Sequence, residues 1–352
     1  MQESCVFAIA GTLTTGGIKL TRVTDSLLIR GKQIKNRIVM APVYTFPFNG
    51  VSEDSFYNIE HIKHYTKRAA GGTGLIIVAA QQVYGAANGT KQWTANNISV
   101  LKQIAANCHI YGTIVFMQLS CGNVDVNHLS TDDIHSMQTD MKSAAISACE
   151  MGFDGVEFHF AHGFALCKFL DASFNQRNDQ YGNSTVNRAR VLTELLPDIR
   201  SNTNVDFMIG VRMGEYLPES RDGVEIAQIF ENAGIDLLDI SFGMESPAKS
   251  VPEGFPCSSV TYSGCNIKKE ISIPVVAVGD IRTNEQIRFL IENDYVDFVA
   301  IGRGMLADSE FANHIRNNEP INQCWGCGGV MEKCFWFTDY HNCPAMKCKP
   351  MV

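Results

Sequence analysis

Short continuous runs of apolar residues alternate along this chain with longer stretches in which apolar positions recur every three or four residues. The runs are Arg37–Ala41, Gly74–Ala80, Gly112–Leu119, Gly155–Phe160, Phe207–Met213, Leu237–Phe242, Pro274–Gly279 and Phe298–Gly302. Most are unbroken rather than alternating, which is the pattern of parallel strands covered on both faces. Between them the helical period predicts helices such as Ile59–Ala70, Thr139–Met151, Thr185–Ser201, Val224–Ala233, Asn284–Glu292 and Glu310–Asn317. Several of these end in glycine before the next strand, as in AAGG (69–72), EMG (150–152) and NAG (232–234). Glycine there lets the chain leave the helix through a left-handed cap. Eight strands with helices between them predict an α/β fold, a single (β/α)8 TIM barrel, with a doubly wound open sheet as the alternative.

Composition narrows the function classes. The 352 residues are 45% hydrophobic and 19% charged, with a net charge of −8. That apolar content excludes disorder, and the length buries a core without disulfides. Mild acidity without a Lys/Arg cluster argues against nucleic acid as a partner. The longest apolar runs fall far short of the ~20 residues of a membrane helix, so no membrane association is expected. No basic leader precedes the brief apolar run near the N-terminus, so a signal peptide is not expected and the cytoplasm is the expected location. Twelve cysteines are many, and five of them (324, 327, 334, 343 and 348) fall in the last 29 residues. The other seven read as small buried hydrophobes.

In a barrel, chemistry gathers at the C-terminal strand ends. There this sequence places Pro42–Thr45, Gln118, His159, His162, Arg212, Ser241, Gly279–Asp280 and Gly302–Arg303. His159 and His162 are close enough to donate to one ligand oxygen; two metal ligands or a satisfied structural pair are the other readings. Arg212 ends an apolar strand and needs an anionic or hydrogen-bonding partner, met equally by a salt bridge or a ligand. Gly279 and Gly302 end neighbouring strands that each lead into a helix, an arrangement that grips phosphate through backbone amides, with Arg303 adding a charged bond.

KNRIVMAPVYTF (35–46), RAAGGTGLIIVAA (68–80), FMQLSCGN (116–123) and GFDGVEFHFAHGFALCKFLDASFNQRNDQYGNSTVNRAR (152–190) resemble the Old Yellow Enzyme (NADH:flavin oxidoreductase) family. GIDLLDISFG (234–243), IPVVAVGDIRTNEQ (273–286) and VAIGRGMLADSEF (299–311) continue the resemblance in order. It implies an FMN-binding barrel that passes hydride from NAD(P)H through the flavin to an alkene conjugated to a carbonyl. It also implies that Ala41, Pro42 and Val43 lie along the flavin, with Tyr44 at its reactive edge. Ala80 and Gln118 would meet the pyrimidine side, Arg212 would stand by N1 and O2, and Gly279, Gly302 and Arg303 would hold the phosphate. His159 and His162 match the pair that binds the substrate carbonyl.

Three departures stand out. Phe164 occupies the place of the family's tyrosine acid, so Tyr44, Tyr262 or water must donate instead, or the acceptor needs no proton donor, as with a quinone. Cys121 replaces a histidine, and Asp280 puts a carboxylate beside the expected phosphate. The tail is similar to that of the 2,4-dienoyl-CoA reductase branch, where four thiolates hold a [4Fe-4S] cluster. Cys324, Cys327 and Cys343 match that spacing, Met331 stands at the third place, and Cys334 lies three residues on. Structural zinc or free thiols are the alternatives. The expected organisation is an N-terminal segment over 1–21, the FMN barrel over 22–320 and a Cys-rich tail over 321–352. NAD(P)H and a small carbonyl-bearing substrate are the expected partners, and a homo-oligomer is compatible with the reading. A flavin dehydrogenase or electron-transfer subunit working with a protein electron donor or acceptor is the alternative function.

Overall fold

The computed structural model describes residues 21–44, 57–84, 94–215, 222–244, 251–327, 334–337 and 342–347. Thr45, Met331 and Cys348 lie outside them. The chain opens with a hairpin, β1 (Leu27–Ile29) and β2 (Lys32–Ile34), turned at Arg30 and Gly31 with φ of 46° and 81°. A two-residue turn of this hand matches the natural strand twist. The hairpin is absent from the sequence expectation because three-residue strands are too short to show an alternation.

Eight strands follow: β3 (Ile38–Met40), β4 (Leu75–Gln82), β5 (Ile114–Ser120), β6 (Gly155–Phe160), β7 (Met208–Met213), β8 (Leu237–Ile240), β9 (Val275–Ala277) and β10 (Phe298–Ile301). All overlap the expected runs. They pair in parallel and close into a barrel, β10 meeting β3 with Val299, Ala300 and Ile301 opposite Ile38, Val39 and Met40. That closure rules out the open sheet.

The surrounding helices include α1 (Ile59–Ala70), α2 (Ala95–His109), α3 (Thr131–Glu150), α4 (Ala165–Leu170), α5 (Thr185–Thr193) and α6 (Leu196–Ser201). Then come α7 (Asp222–Asn232), α8 (Ser259–Lys268), α9 (Asn284–Glu292), α10 (Arg303–Ala307), α11 (Phe311–Asn317) and α12 (Pro344–Lys347). Two helices differ from expectation. Helix α3 begins at Thr131, where Ser130 and Asp133 form a reciprocal capping box that starts it two turns early. The long helix expected over 185–201 is two, because Pro197 in the first turn of α6 has no N–H to continue the ladder.

Side chains alternate along each barrel strand. Val156, Phe158, Ile209, Val211, Leu238 and Ile240 face outward into the layer shared with the helices. Val39, Leu75, Ile77, Phe116, Met208, Leu237, Val276 and Phe298 fill the barrel itself, and Ile29 and Ile34 of the hairpin join them as a plug. Phe116 takes the centre because Gly155 and Gly210 leave room; a Cβ at 155 would come within 2.7 Å of its ring.

The N-terminal end is tied by three aspartates, each just ahead of a strand. Asp154 accepts Val115 N–H at 2.8 Å, Asp236 accepts Ile209 N–H at 2.7 Å, and Asp297 accepts Val275 N–H at 2.8 Å. Each also meets basic side chains: Lys32 and His109 on Asp154, Arg30 and Arg200 on Asp236, Lys268 on Asp297. Burial pushes the Asp154 carboxyl up, but bonds from His109, Lys32 and Val115 outweigh it and hold it below the usual carboxylate range.

Candidate functional site

The inward positions change character toward the C-terminal ends of the strands. Above Phe116, Leu237 and Met208 come Gln118 on β5, Glu157 and His159 on β6, Arg212 on β7, and Asp239 on β8 with Ser241 just beyond it. All six are buried. The register puts Gln118 opposite Glu157, His159 opposite Arg212, and Arg212 opposite Asp239. Alternation along parallel strands therefore converts spacing in sequence into one polar layer in space.

His162 sits past the end of β6 with φ of 62°, a left-handed conformation unusual for a residue with a Cβ. Its N–H bonds to Phe242 O at 3.2 Å, and Gly163 follows at φ of 72°. The turn brings the His162 ring back over the strand. His159 Nε2 lies 2.8 Å from His162 Nδ1, and His162 Nε2 lies 2.8 Å from Ser241 Oγ. Arg212 Nη2 donates to the same hydroxyl at 3.4 Å. The two imidazoles thus bond in series rather than both pointing at one outside atom. His159 Nδ1 is the ring nitrogen left without a partner among the described residues. Burial, then Arg212, pushes His159 down to about 3. Burial, Arg212 and His159 push His162 down to about 2. Both rings are neutral across the physiological range.

Below them Arg212 Nε, Glu157 Oε2 and both Asp239 oxygens are buried without a hydrogen-bond partner among the described residues. Gln118 Nε2 donates to Glu157 Oε1 at 2.7 Å, and Arg212 Nε stands 3.5 Å from Asp239 Oδ2. Glu157 and Asp239 are the residues that sequence reasoning missed. Their signal was present as single acids inside the otherwise apolar strands VEF and LLDI.

The remaining candidates gather on the other side of the mouth. Gly302 faces Ala41 and Val43, where a Cβ would stand 3.9 Å and 3.5 Å from their side chains. Gly279 has φ of 124°, and its carbonyl accepts from Ser258 at 2.8 Å and Thr261 at 2.9 Å. A Cβ there would lie 2.6 Å from Ser258 Oγ, so only glycine fits. The Asp280 carboxylate is bound by two guanidiniums, Arg282 Nε at 2.6 Å and Arg303 Nη2 at 3.0 Å. Its charge is therefore cancelled locally, and the cluster keeps one net positive charge. Ala80 lies where β4 bulges between Val78 and Gln81, a common device beside sites. Pro42 is half-buried and Tyr44 exposed.

The tail meets this mouth. Trp336 is buried against Leu306 and Val43, its ring lies 5.5 Å from that of His64, and its Nε1 donates to Tyr44 O at 2.9 Å. Gly326, between Cys324 and Cys327, lies against the Arg282 guanidinium. Burial pushes the Cys334 thiol up, and Cys324, Cys343 and Arg303 are near enough to act on it. Among the described residues no group of three or more His, Cys, Asp or Glu side chains is arranged to hold a metal ion. Tyr262, one of the alternative proton donors, packs in an outer aromatic cluster, its ring 5.2 Å from Phe255. Phe164 stands 5.1 Å from the His159 ring. Among the described residues no helix is long and apolar enough to cross a membrane.

Comparison with known proteins gives relatives of this chain. The model of the NADH:flavin oxidoreductase / NADH oxidase family matches residues 26–127 and 120–322. An NADH oxidase of Thermoanaerobacter brockii is 31% identical over 334 residues, covering 84% of this chain; the chain spans about half of that relative, 51%. An NADPH dehydrogenase of Geobacillus sp. (strain WCH70) is 30% identical over 316 residues, 81% of this chain and 91% of the relative. The structure of an old yellow enzyme homologue from Zymomonas mobilis shares the fold with a TM-score of 0.70 at 21% identity, over 92% of this chain and 99% of the other.

Proposed function

Because the chain belongs to the NADH:flavin oxidoreductase / NADH oxidase family, we propose that it is an FMN-dependent oxidoreductase of the ene-reductase type, taking hydride from NAD(P)H and delivering it to an alkene conjugated to a carbonyl. The observation that carries the reading is His159 Nδ1, buried at the C-terminal mouth and without a hydrogen-bond partner among the described residues. Unpaired buried donors cost about 1–3 kcal/mol each, so they persist where a ligand completes them.

The residues present fit FMN. Arg212 offers a cation to the electron-rich pyrimidine edge, alongside the Gln118 amide. The Arg282–Asp280–Arg303 cluster retains one net positive charge for a phosphate. Ala41, Val43 and Gly302 make a small-residue wall suited to a flat ring. FMN, when bound, supplies the two-electron hydride carrier.

The side chains order the substrate. Arginine can only donate, so Arg212 gives a hydrogen bond to Ser241 Oγ and leaves the hydroxyl proton free for His162 Nε2. His162 Nδ1–H then donates to His159 Nε2, and His159 Nδ1–H is left as the donor toward a ligand oxygen. Each bond polarises the next, so a chain anchored on a guanidinium ends in a strengthened neutral donor. Such a donor polarises a carbonyl without transferring a proton, which suits rings held neutral by burial. Phe164 shields this face but holds no proton to give. Tyr44, at the mouth with its backbone fixed by Trp336, is the tyrosine this reading retains as proton donor.

Anaerobic titration with NAD(P)H tests the proposal. Bleaching of bound flavin, followed by reoxidation with an enone, is expected. Exchange of His159 and His162 for Ala should weaken phenol or enone binding about tenfold or more; unchanged binding would sink the assignment. A second reading, a flavin dehydrogenase feeding a protein electron partner, is favoured by Phe164 in place of a proton-donating tyrosine. It predicts little bleaching by NAD(P)H.

A further inference from the structure

We propose that Glu157 and Asp239 hold a single proton between them beneath Arg212, and that this buried proton keeps the site able to take up negative charge on a bound flavin. The inference rests on the reading of the mouth as an FMN site and adds to it a proton-holding pair.

Glu157, Arg212 and Asp239 stand on three consecutive strands, β6, β7 and β8, all facing the barrel interior. Glu157 and Asp239 are each 0% exposed. The Arg212 guanidinium stands 3.5 Å from Asp239, and its charge also acts on Glu157. Among the described residues Glu157 receives one hydrogen bond, from Gln118, to Oε1. Its Oε2 has no partner among the described residues. Val276 on the neighbouring β9 stands in register with Asp239, and Leu75, Ile77 and Phe298 of the barrel's inner cluster are likewise apolar. Above the pair, His159 and His162 are neutral.

Two carboxylates and one cation buried away from solvent leave one negative charge uncompensated if both ionise. An unpaired buried charge costs several kcal/mol, whereas keeping one proton avoids it. The proton sits on Glu157, because Asp239 is the acid at Arg212. The two groups titrate as a pair. Burial, then the charge of Asp239, pushes Glu157 up to about 8; burial raises Asp239 against the pull of Arg212.

Below that point the three groups sum to zero charge, and a ligand that gains negative charge meets no opposing anion. Above it Glu157 is ionised and the sum is −1. Reduction by NAD(P)H delivers two electrons and one proton as hydride and releases the oxidised nicotinamide. In the alkaline range the new negative charge at Arg212 raises the proton affinity of Glu157, which binds one further proton from solvent. Each pH unit then lowers the reduction equilibrium constant by an additional tenfold, about 30 mV for a two-electron couple.

The test is the midpoint potential of the FMN-loaded protein, measured by dye-coupled spectroelectrochemistry from about pH 6 to pH 10, for wild type and Glu157→Gln. The same proteins without flavin are followed by infrared spectroscopy across that range. Wild type should steepen by the additional tenfold per unit above the break, while Glu157→Gln, which keeps the Gln118 contact and has no proton to lose, should run straight. The infrared band of a protonated carboxyl should vanish at alkaline pH in wild type and be absent in Glu157→Gln. A straight wild-type line overturns the inference, and so does an identical break in Glu157→Gln. The wild-type line decides alone if the variant fails to fold. A protein that binds no FMN overturns the underlying reading and this one with it; flavin bound without a break overturns this one only.

Discussion

At the N-terminal end of the barrel, Asp154, Asp236 and Asp297 each receive a neighbouring strand's N–H and at least one cation. At the C-terminal end, Glu157, His159, Arg212 and Asp239 keep buried atoms without a partner among the described residues. Both ends bury charge, yet one spends its polar capacity on the backbone and the other holds it in reserve. The difference separates stability from function. Groups whose bonds are complete lock strand order, and groups whose bonds are incomplete are those to which the proposed function gives a ligand or a proton.

The comparison can be broken most forcefully at the apolar plug. Phe116→Ala should cost about 3–5 kcal/mol, because its fully buried ring fills space that Gly155 and Gly210 cannot refill. Chemical denaturation reads it, and the properties of the mouth should change far less than the stability. Next comes the staple at β6. Asp154→Ala removes the acceptor of Val115 N–H and the partner of Lys32 and His109, both partly exposed, so about 2–4 kcal/mol should be lost. A loss under about 0.5 kcal/mol would show that the ordered end owes little to its aspartates.

Titration probes the other end. His159 and His162 are held far below their unfolded value of 6.5, so as pH falls through 6.5 the unfolded chain takes up protons that the folded one refuses. Stability should fall on acidification by up to about 1.4 kcal/mol per proton per pH unit, and a His159→Gln/His162→Gln variant should lose the share due to these two rings while buried His61 and His64 keep theirs. Glu157 acts in the opposite sense. Its folded value of about 8 exceeds the unfolded 4.5, so its contribution falls as pH rises between them. Glu157→Gln should therefore gain on wild type from pH 6.5 to 8, as unfolding curves at the two pH values would reveal.

The smallest expected effect is at the tail. Trp336→Phe keeps the packing against Leu306 and loses the bond to Tyr44 O, a cost of about 0.5–1.5 kcal/mol. A shift in the spectrum of bound flavin is expected with it, since the Tyr44 backbone borders the proposed site. A variant with the wild-type spectrum would sever the tail from the mouth.

Much of this was legible in the chain. Unbroken runs such as LIIVAA marked the strands because residues buried on both faces have no polar alternation. Glycines 72, 152 and 234 marked helix exits because their φ values of 91°, 89° and 93° are open to few other residues. The hairpin was hidden by its shortness, and the start of α3 by a capping box that has no hydrophobic period. His159, His162 and Arg212 could be named as candidates from their places at strand ends. Their mutual order could not, since it depends on which ring nitrogen the fold turns toward Ser241.

By itself, then, the sequence determined the order of the barrel strands and most of their helices, the family, and candidates for the mouth such as His159, His162 and Arg212. These follow from local periodicity and from motifs that occupy neighbouring positions in the chain. Only the tertiary structure decided which polar groups are satisfied. Asp154 and Glu157 lie three residues apart, in one case before the strand and in the other within it. Asp154 meets Lys32, His109 and a backbone amide at the barrel's end, while Glu157 points into its buried interior beside a second acid. Their charges differ because burial and partners are set by residues far away in sequence, and no local pattern records them.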